Sequence, residues 1–434
     1  MHVTCVSMTT VTSVWRNPRF RRVWGAGAVS TLGTEIGELA IPVLALVTLG
    51  ASASELSFVR AALLIPYLLL TLWLGVLVDR SRRRPLLITA DLARGILLGT
   101  VCWFAVAGWL TIPMLIAAAA LLGSLAVVYT LAEFAFLPLV IGDRRLLDAN
   151  ASITATQSAI GIAGAGAGGA LVQLITAPFA LGVNALGFLL SGALIAAVRV
   201  DEGQRPPRGG SAFREARTGL AVLIRHRVLR ALVSEASIWN FGNEIFMLAL
   251  AVLVLQDYAL GPAALGLVLM SGGLGAFVGS VASRALTNRL GYGHALILAL
   301  VLGNTAPLVG VLFASGGTWA SVLAMTTAFL VSGVGIGIAN SQAVSIRQLA
   351  VAPELRGRVN AGYRLASWGF LSLGAIVGGI LVTAVGAWAG TVVGAALMAL
   401  ATVPVAVSAV RRVVAIEDLA AGGAARPDGV DMLE

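Results

Sequence analysis

Lysine is absent from this chain: all 29 of its Lys+Arg residues are arginine. Without lysine there is no P-loop side chain to grip ATP and none to form a Schiff base with pyridoxal or retinal. Histidine occurs only at His2, His226 and His294, in polar ends or loops, so no zinc-type cluster is expected. Cys5 and Cys102 stand far apart without partner spacing, which argues against a disulfide framework. Charge is scarce too, at 11% of residues, where soluble proteins carry about a quarter. A soluble enzyme is thereby excluded, and no cofactor is expected. No cleavable leader is evident, because the first apolar run is too long and has no convincing cleavage site.

What the chain does have is apolar length. Of its 434 residues 58% are hydrophobic, and runs of about 20 apolar residues, the length that crosses a bilayer, recur from end to end. They predict an all-α integral membrane protein with spans near 23–48, 56–78, 86–107, 112–132, 151–173 and 178–198. A second set follows near 231–254, 263–284, 294–314, 319–341, 360–383 and 387–409. The arginines support this layout. Twenty-six of the 29 fall before the first span, in alternate loops, in the central stretch or after the last span. The intervening loops at 49–55, 108–111, 174–177, 255–262, 315–318 and 384–386 hold none. Positive residues resist translocation, so both termini are expected in the cytoplasm. Trp109, Trp319 and Trp388 fall at the outer boundaries, where aromatic belts form.

The segments read as a cytoplasmic N-terminal stretch (1–22), a six-helix bundle (23–198), a linker with a basic amphipathic helix (199–230), a second bundle (231–409) and a cytoplasmic tail (410–434). The linker helix suits an anionic leaflet. Sliding one half over the other exposes a repeat. At an offset of 209, GTEIGELAIPVLAL (33–46) meets GNEIFMLALAVLVL (242–255) with 8 of 14 residues identical, Gly33/Gly242 and Glu35/Glu244 among them. Duplicated six-span halves are a transporter feature, with the substrate site at mid-membrane between them.

GVLVDRSRRRPLL (75–87) resembles the loop between spans 2 and 3 of the major facilitator superfamily: Gly75, Asp79, Arg80, Arg83 and Arg84 match, and Arg82 replaces the second glycine. GAGAGG (164–169) resembles the superfamily's antiporter motif, with Ala165 in place of proline. NPRFRRVWGAGAVSTLG, LPLVIGDRRLLDANA and RQLAVAPELRGRVNA look like the bacterial subgroup of drug, macrolide and siderophore exporters. The arginine found in span 4 of many proton-antiporting members is absent. The resemblance implies the twelve-helix fold in two pseudo-symmetric halves, and alternating access. It also implies a latch in which Gly75 admits a neighbouring helix, Asp79 caps it, and the arginines clamp acids such as Asp91 or Glu133. Gly164, Gly168 and Gly169 would be packing positions that prevent leak.

Within the spans, Asp91 and Arg94 are spaced to pair on one helix face, with Arg94 near enough to the cytosol to snorkel. Glu35 and Glu38 lie one turn apart with Thr31 and Thr34 on the same stripe, and Asn240 and Glu244 form its counterpart. An acid near a helix centre costs roughly 2.5–3.5 kcal/mol to insert, so such groups face a cavity or a partner. No basic residue is expected at their depth. Unpaired, Glu35, Glu38 and Glu244 would exchange protons or hold a cationic substrate, with Glu35 and Glu244 meeting across a central cavity.

The function expected is proton-coupled export of amphipathic small molecules from a bacterial inner membrane by a monomer. Its partners are the bilayer, a small molecule and protons or another coupling cation, not nucleic acid. A nutrient importer of the same fold is the alternative. A sensor or scaffold lacks the soluble domain it would need, and an intramembrane enzyme lacks a histidine or cysteine at depth.

Overall fold

The structure, a computed structural model, describes residues 14–142, 146–200, 202, 212–314, 316–351 and 355–412. Among these the regular elements are all helical, as a bilayer demands of chain whose N–H and C=O groups must be satisfied within each segment. The N-terminal residues to 13, the tail from 413, the residues 143–145, 201, 203–211, 315 and 352–354, and therefore Arg144 and Arg145, lie outside the described residues.

Helix α1 (Pro18–Val43) starts with a proline, whose missing N–H is harmless in a first turn, and Asn17 caps it by accepting from the Arg19 N–H at 2.9 Å. It runs into a π-helical turn, Leu44–Thr48. Next come α2 (Ala53–Leu69) and α3 (Thr71–Arg80). The sequence reads 56–78 as one span; the structure divides it at Leu70, where φ is −99°, although the Leu70 N–H still donates to the Pro66 carbonyl at 2.8 Å. Helices α4 (Arg83–Val106) and α5 (Ile112–Ile141) follow, then α6 (Leu146–Ala196), which holds two crossings joined at Thr176, where φ is 70°. The linker supplies α7 (Ala212–Arg225).

The second set opens with α8 (Arg227–Val252), ending in another π-helical turn, Leu253–Asp257. It continues through α9 (Pro262–Leu290), α10 (Tyr292–Phe313), α11 (Trp319–Leu349), α12 (Arg356–Val385), α13 (Ala387–Leu400) and the short α14 (Val403–Ala406). Among the described residues ten helices are long and apolar enough to cross a membrane. Adding α2 with α3, and counting α6 twice, gives twelve crossings. The repeat seen in the sequence is structural: each π-helical turn, Leu44–Thr48 and Leu253–Asp257, closes the first helix of its half, 209 residues apart.

In the first half α6 packs on α1 and α4; in the second, α8 packs on α12 and α13 while α11 packs on α9 and α10. The halves are joined chiefly by two helix pairs, α6 with α9 and α2 with α12, and α2 also touches α8. Under the repeat the two chief pairs are equivalent. Helix α7 does not simply lie on a leaflet. It packs against the start of α12, where a Cβ on Gly362 would come 2.7 Å from the Leu220 nitrogen, and it also touches α3. Leu223 is fully buried, and burial holds the His226 imidazole below its usual pKa at the α7–α8 junction.

Candidate site at the seam between the halves

The repeat places glycines wherever backbones must approach across or beside the seam. In α6, a Cβ on Gly164 would lie 2.8 Å from the Glu35 Cβ, and one on Gly168 would lie 3.4 Å from the Ile36 Cα. In α12, a Cβ on Gly374 would lie 3.0 Å from the Glu244 Cβ, and one on Gly378 would lie 3.1 Å from the Ile245 Cα. Each half therefore seats its acid-bearing first helix against a Gly-x-x-x-Gly-Gly run. The last glycine of each run makes the contact between halves. Gly169 meets Gly266 of α9, where an added Cβ would lie 2.9 Å from the Gly266 Cα, and Gly379 meets Ser57 and Ala53 of α2. The packing role expected of Gly164, Gly168 and Gly169 has a second copy at 374–379, legible in the sequence as GAIVGG but not read there.

The acids are arranged differently from the sequence expectation. Arg60, on α2, donates from Nη1 to Glu38 Oε2 at 2.6 Å and from Nε to Glu244 Oε1 at 2.8 Å, with its Nη2 in ion-pair contact with the same oxygen at 2.7 Å. A basic residue does lie at the depth of the acids, and Glu38 and Glu244 are not unpaired. Arg60 stands in the second turn of α2, roughly 10 Å along its axis at 1.5 Å per residue. That helix is fixed by a capping box in which Ser52 Oγ accepts from the Glu55 N–H and the Glu55 carboxylate accepts from the Ser52 N–H. These bonds hold the Glu55 carboxyl below its ordinary pKa. The bridge is graded in exposure: the Glu38 side chain is 55% exposed, Arg60 16% and Glu244 3%. Glu38 and Arg60 belong to the first half and Glu244 to the second, so one guanidinium ties the halves together.

Glu35 does not meet Glu244; it packs against Gly164 of its own half, and among the described residues no ion pair reaches it. Thr34 donates to the Ser30 carbonyl at 3.0 Å, while Thr31 is partly exposed on the same helix. Asn240 turns from the bridge and donates to the Ser367 carbonyl at 2.9 Å. Gly33 and Gly37 admit Asn184, whose buried Oδ1 has no partner. A cavity of about 120 Å³ beside the bridge is lined by Glu38, Arg60, Arg94, Asn184, Tyr67 and Thr34, with apolar neighbours.

All these links between halves lie at the ends of the helices joined by arginine-free loops. Gln256 adds to them, donating from Nε2 to the carbonyls of Leu46 and Ala51 at 3.4 and 3.2 Å. At the arginine-rich ends the first-half loop stands apart from α12. Gly75 has open space where the expected neighbouring helix would be. The Asp79 side chain lies outside the described residues, and Arg80 is exposed. Arg83 and Arg84 do not clamp Asp91 or Glu133: their backbone N–H groups, at the start of α4, donate to the two Glu202 oxygens at 2.5 and 2.8 Å. The Arg84 guanidinium donates to the Ala196 carbonyl at 2.5 Å. Helix N-termini favour such an anion, so a linker carboxylate fills the capping role. Asp91 pairs with Arg94 as its spacing predicts. Arg94 does not snorkel; it is 4% exposed, with the rings of Tyr129 and Phe188 each 4.3 Å from its guanidinium carbon.

Comparison with known proteins supplies the family. The Major Facilitator Superfamily model matches residues 23–370. An uncharacterised MFS-type transporter of Bacillus subtilis (strain 168), YkuC, is 22% identical over 258 residues, covering 57% of this chain and 59% of that relative's length. Among solved structures, a mutant of the nucleoside transporter NupG superposes with a TM-score of 0.72 at 11% identity, over 89% of this chain and 99% of that one. An inward-facing bacterial homologue of the iron transporter ferroportin gives 0.69 at 17% identity, covering 91% of this chain and 99% of that one. An outward-facing structure of such a homologue gives 0.57 at 19%, covering 89% and 98%.

Proposed function

The chain belongs to the Major Facilitator Superfamily, and on that premise we propose that it is a proton-coupled exporter of amphipathic small molecules, held here with its outer side shut. The arginine distribution supports placing the arginine-rich ends, and both termini, on the cytoplasmic side of a bacterial inner membrane. The bridged ends are then periplasmic, and the chain stands inward-facing. The greater likeness to the inward-facing ferroportin homologue than to the outward-facing one agrees with this.

The observation that carries the reading is the Glu38–Arg60–Glu244 bridge across the seam. Alternating access requires contacts that exist in one state and are broken in the other, placed where the halves rock apart. A charged bridge suits this because its strength depends on protonation. With Glu38 and Glu244 ionised, Arg60 holds the outer ends together. A proton arriving from the periplasmic side at half-exposed Glu38 removes one arm, and loading Glu244 removes the other. Glu35, which has no cation beside it, is the acid that exchanges its proton against substrate on the inner side. Under this scheme Glu38 and Glu244 serve the gate and Glu35 the coupling. The cavity beside the bridge combines an apolar wall of leucine, isoleucine and phenylalanine with Glu38, Arg60 and Arg94, a mixture that suits amphipathic cargo better than a sugar. A monomer is sufficient for every step.

Two assays test it. In inverted membrane vesicles energised by respiration, an exporter accumulates a fluorescent amphipathic substrate and a protonophore abolishes the signal; an importer of the same fold leaves the vesicle interior unchanged. Glu35→Gln is expected to transport at a rate that no longer varies with pH while the protein still reaches the membrane. A parental pH profile in that variant removes Glu35 from the coupling.

A further inference from the structure

Glu235 is among the acids that the proposed mechanism leaves unused. It sits on α8, two turns in from its start at Arg227, and lines a cavity of about 280 Å³ enclosed by α8, α10, α11 and α12 of the second half alone. The repeat offers no equivalent, since the position 209 residues earlier is Ala26. The cavity is therefore a feature of this half and not an echo of the seam.

From its lining we infer that this pocket is a subsite for an organic cation, a substituted ammonium group with Glu235 as its counter-ion. Two observations converge. First, among the described residues no ion pair involves Glu235. The nearby guanidiniums are engaged elsewhere: Arg347 lies 3.9 Å from the Tyr363 ring centre and Arg364 lies 4.2 Å from that of Trp368. The Asn304 amide on the same wall hydrogen-bonds to the Glu235 side chain but supplies no counter-charge, and an acid at this depth without a counter-ion is costly. Second, the wall carries aromatic rings, Trp239, Tyr363 and Trp368, beside the carboxylate. Ring faces attract alkylated ammonium groups, and the attraction grows when water is excluded. A metal ion is the wrong occupant: one carboxylate with amides and rings lacks the donor set, and among the described residues no group of three His, Cys, Asp or Glu gathers.

This inference rests on the transporter reading only for its use, because binding needs neither a gradient nor a direction. The test is therefore made on the purified full-length protein at equilibrium. Benzyltrimethylammonium, whose charge is independent of pH, is titrated calorimetrically, with benzyl alcohol as the neutral comparison. The wild type is expected to bind the cation at least tenfold more tightly than the alcohol. Glu235→Gln should weaken the cation at least tenfold and leave the alcohol within twofold. Ala236→Leu, which keeps the carboxylate but fills the cavity, should abolish binding of the cation. Should Glu235→Gln fail to fold, Glu235→Asp and Ala236→Leu decide. A wild type that binds the two probes equally, or an Ala236→Leu protein that binds the cation as the parent does, overturns the subsite even if export is confirmed.

Discussion

At the scale of single residues, the seam is decided by Arg60. Glu244 is almost wholly buried, and a carboxylate withdrawn from water is tolerated because the guanidinium pairs with it and donates an Nε–H to one of its oxygens. Removing one partner of a buried pair typically costs about 3–5 kcal/mol, since the remaining charge is stranded. Arg60→Ala is therefore expected to lower thermal stability in detergent markedly. Replacing all three members with neutral residues of similar size (Glu38→Gln, Arg60→Met, Glu244→Gln) should restore most of the loss. A triple variant as unstable as the single one would mean that Arg60 stabilises through packing and not through charge. The sequence held the clue: three of the 29 arginines fit no loop, and Arg60 was one of them. Sorting arginines by loop explains orientation well, but it passes over a cation lying inside an apolar run. Pairing also reassigns Glu38 and Glu244, which sequence spacing alone leaves as free acids because spacing along a helix says nothing of what the next helix brings.

Among elements, close helix approach is set by glycine, and here sequence was a good guide. The first-half run at 164–169 was legible by its resemblance to a known motif, and the equivalence of Glu35 and Glu244 in the repeat followed from the offset, although the two side chains do not meet as the sequence led one to expect. The partner surface was not legible, because a glycine in sequence does not say which backbone fills the space it leaves. Gly169 and Gly266 meet backbone to backbone across the seam, so a methyl group at either cannot be relieved by a side-chain rotation. Gly169→Ala should push α6 and α9 apart at their bridged ends. It is expected to let a fluorescent dye leak through the resting protein in liposomes. Gly99→Ala, where an added methyl meets open space, should leave the barrier tight and show any general effect of removing a helical glycine. Equal leak in both variants would reduce the Gly169–Gly266 contact to ordinary packing. The break at Leu70 and the docking of α7 on α12 were also beyond sequence reading. Hydropathy measures how readily a segment enters the membrane, not where a helix bends or what an amphipathic face will find.

For the molecule as a whole, we propose that two similar halves rock about a seam whose ionic clamp lies toward the arginine-free ends, while the loop that carries Gly75 stands clear. The clamp has an apolar part, the paired α6–α9 and α2–α12 contacts, and an ionic part, the Arg60 bridge. At the opposite end Gly75 faces empty space, in keeping with a latch that engages only after the halves have rocked. The direct test is the distance between spin labels on the two halves at the clamped ends, at Ala107→Cys and Trp319→Cys, with Cys5 and Cys102 replaced by serine, read by pulsed electron resonance in lipid nanodiscs. The account predicts one short distance in the parent at neutral pH, and a second, longer population that grows on acidification and dominates in Arg60→Ala. A distribution in Arg60→Ala indistinguishable from that of the parent would contradict the claim that Arg60 holds the halves together.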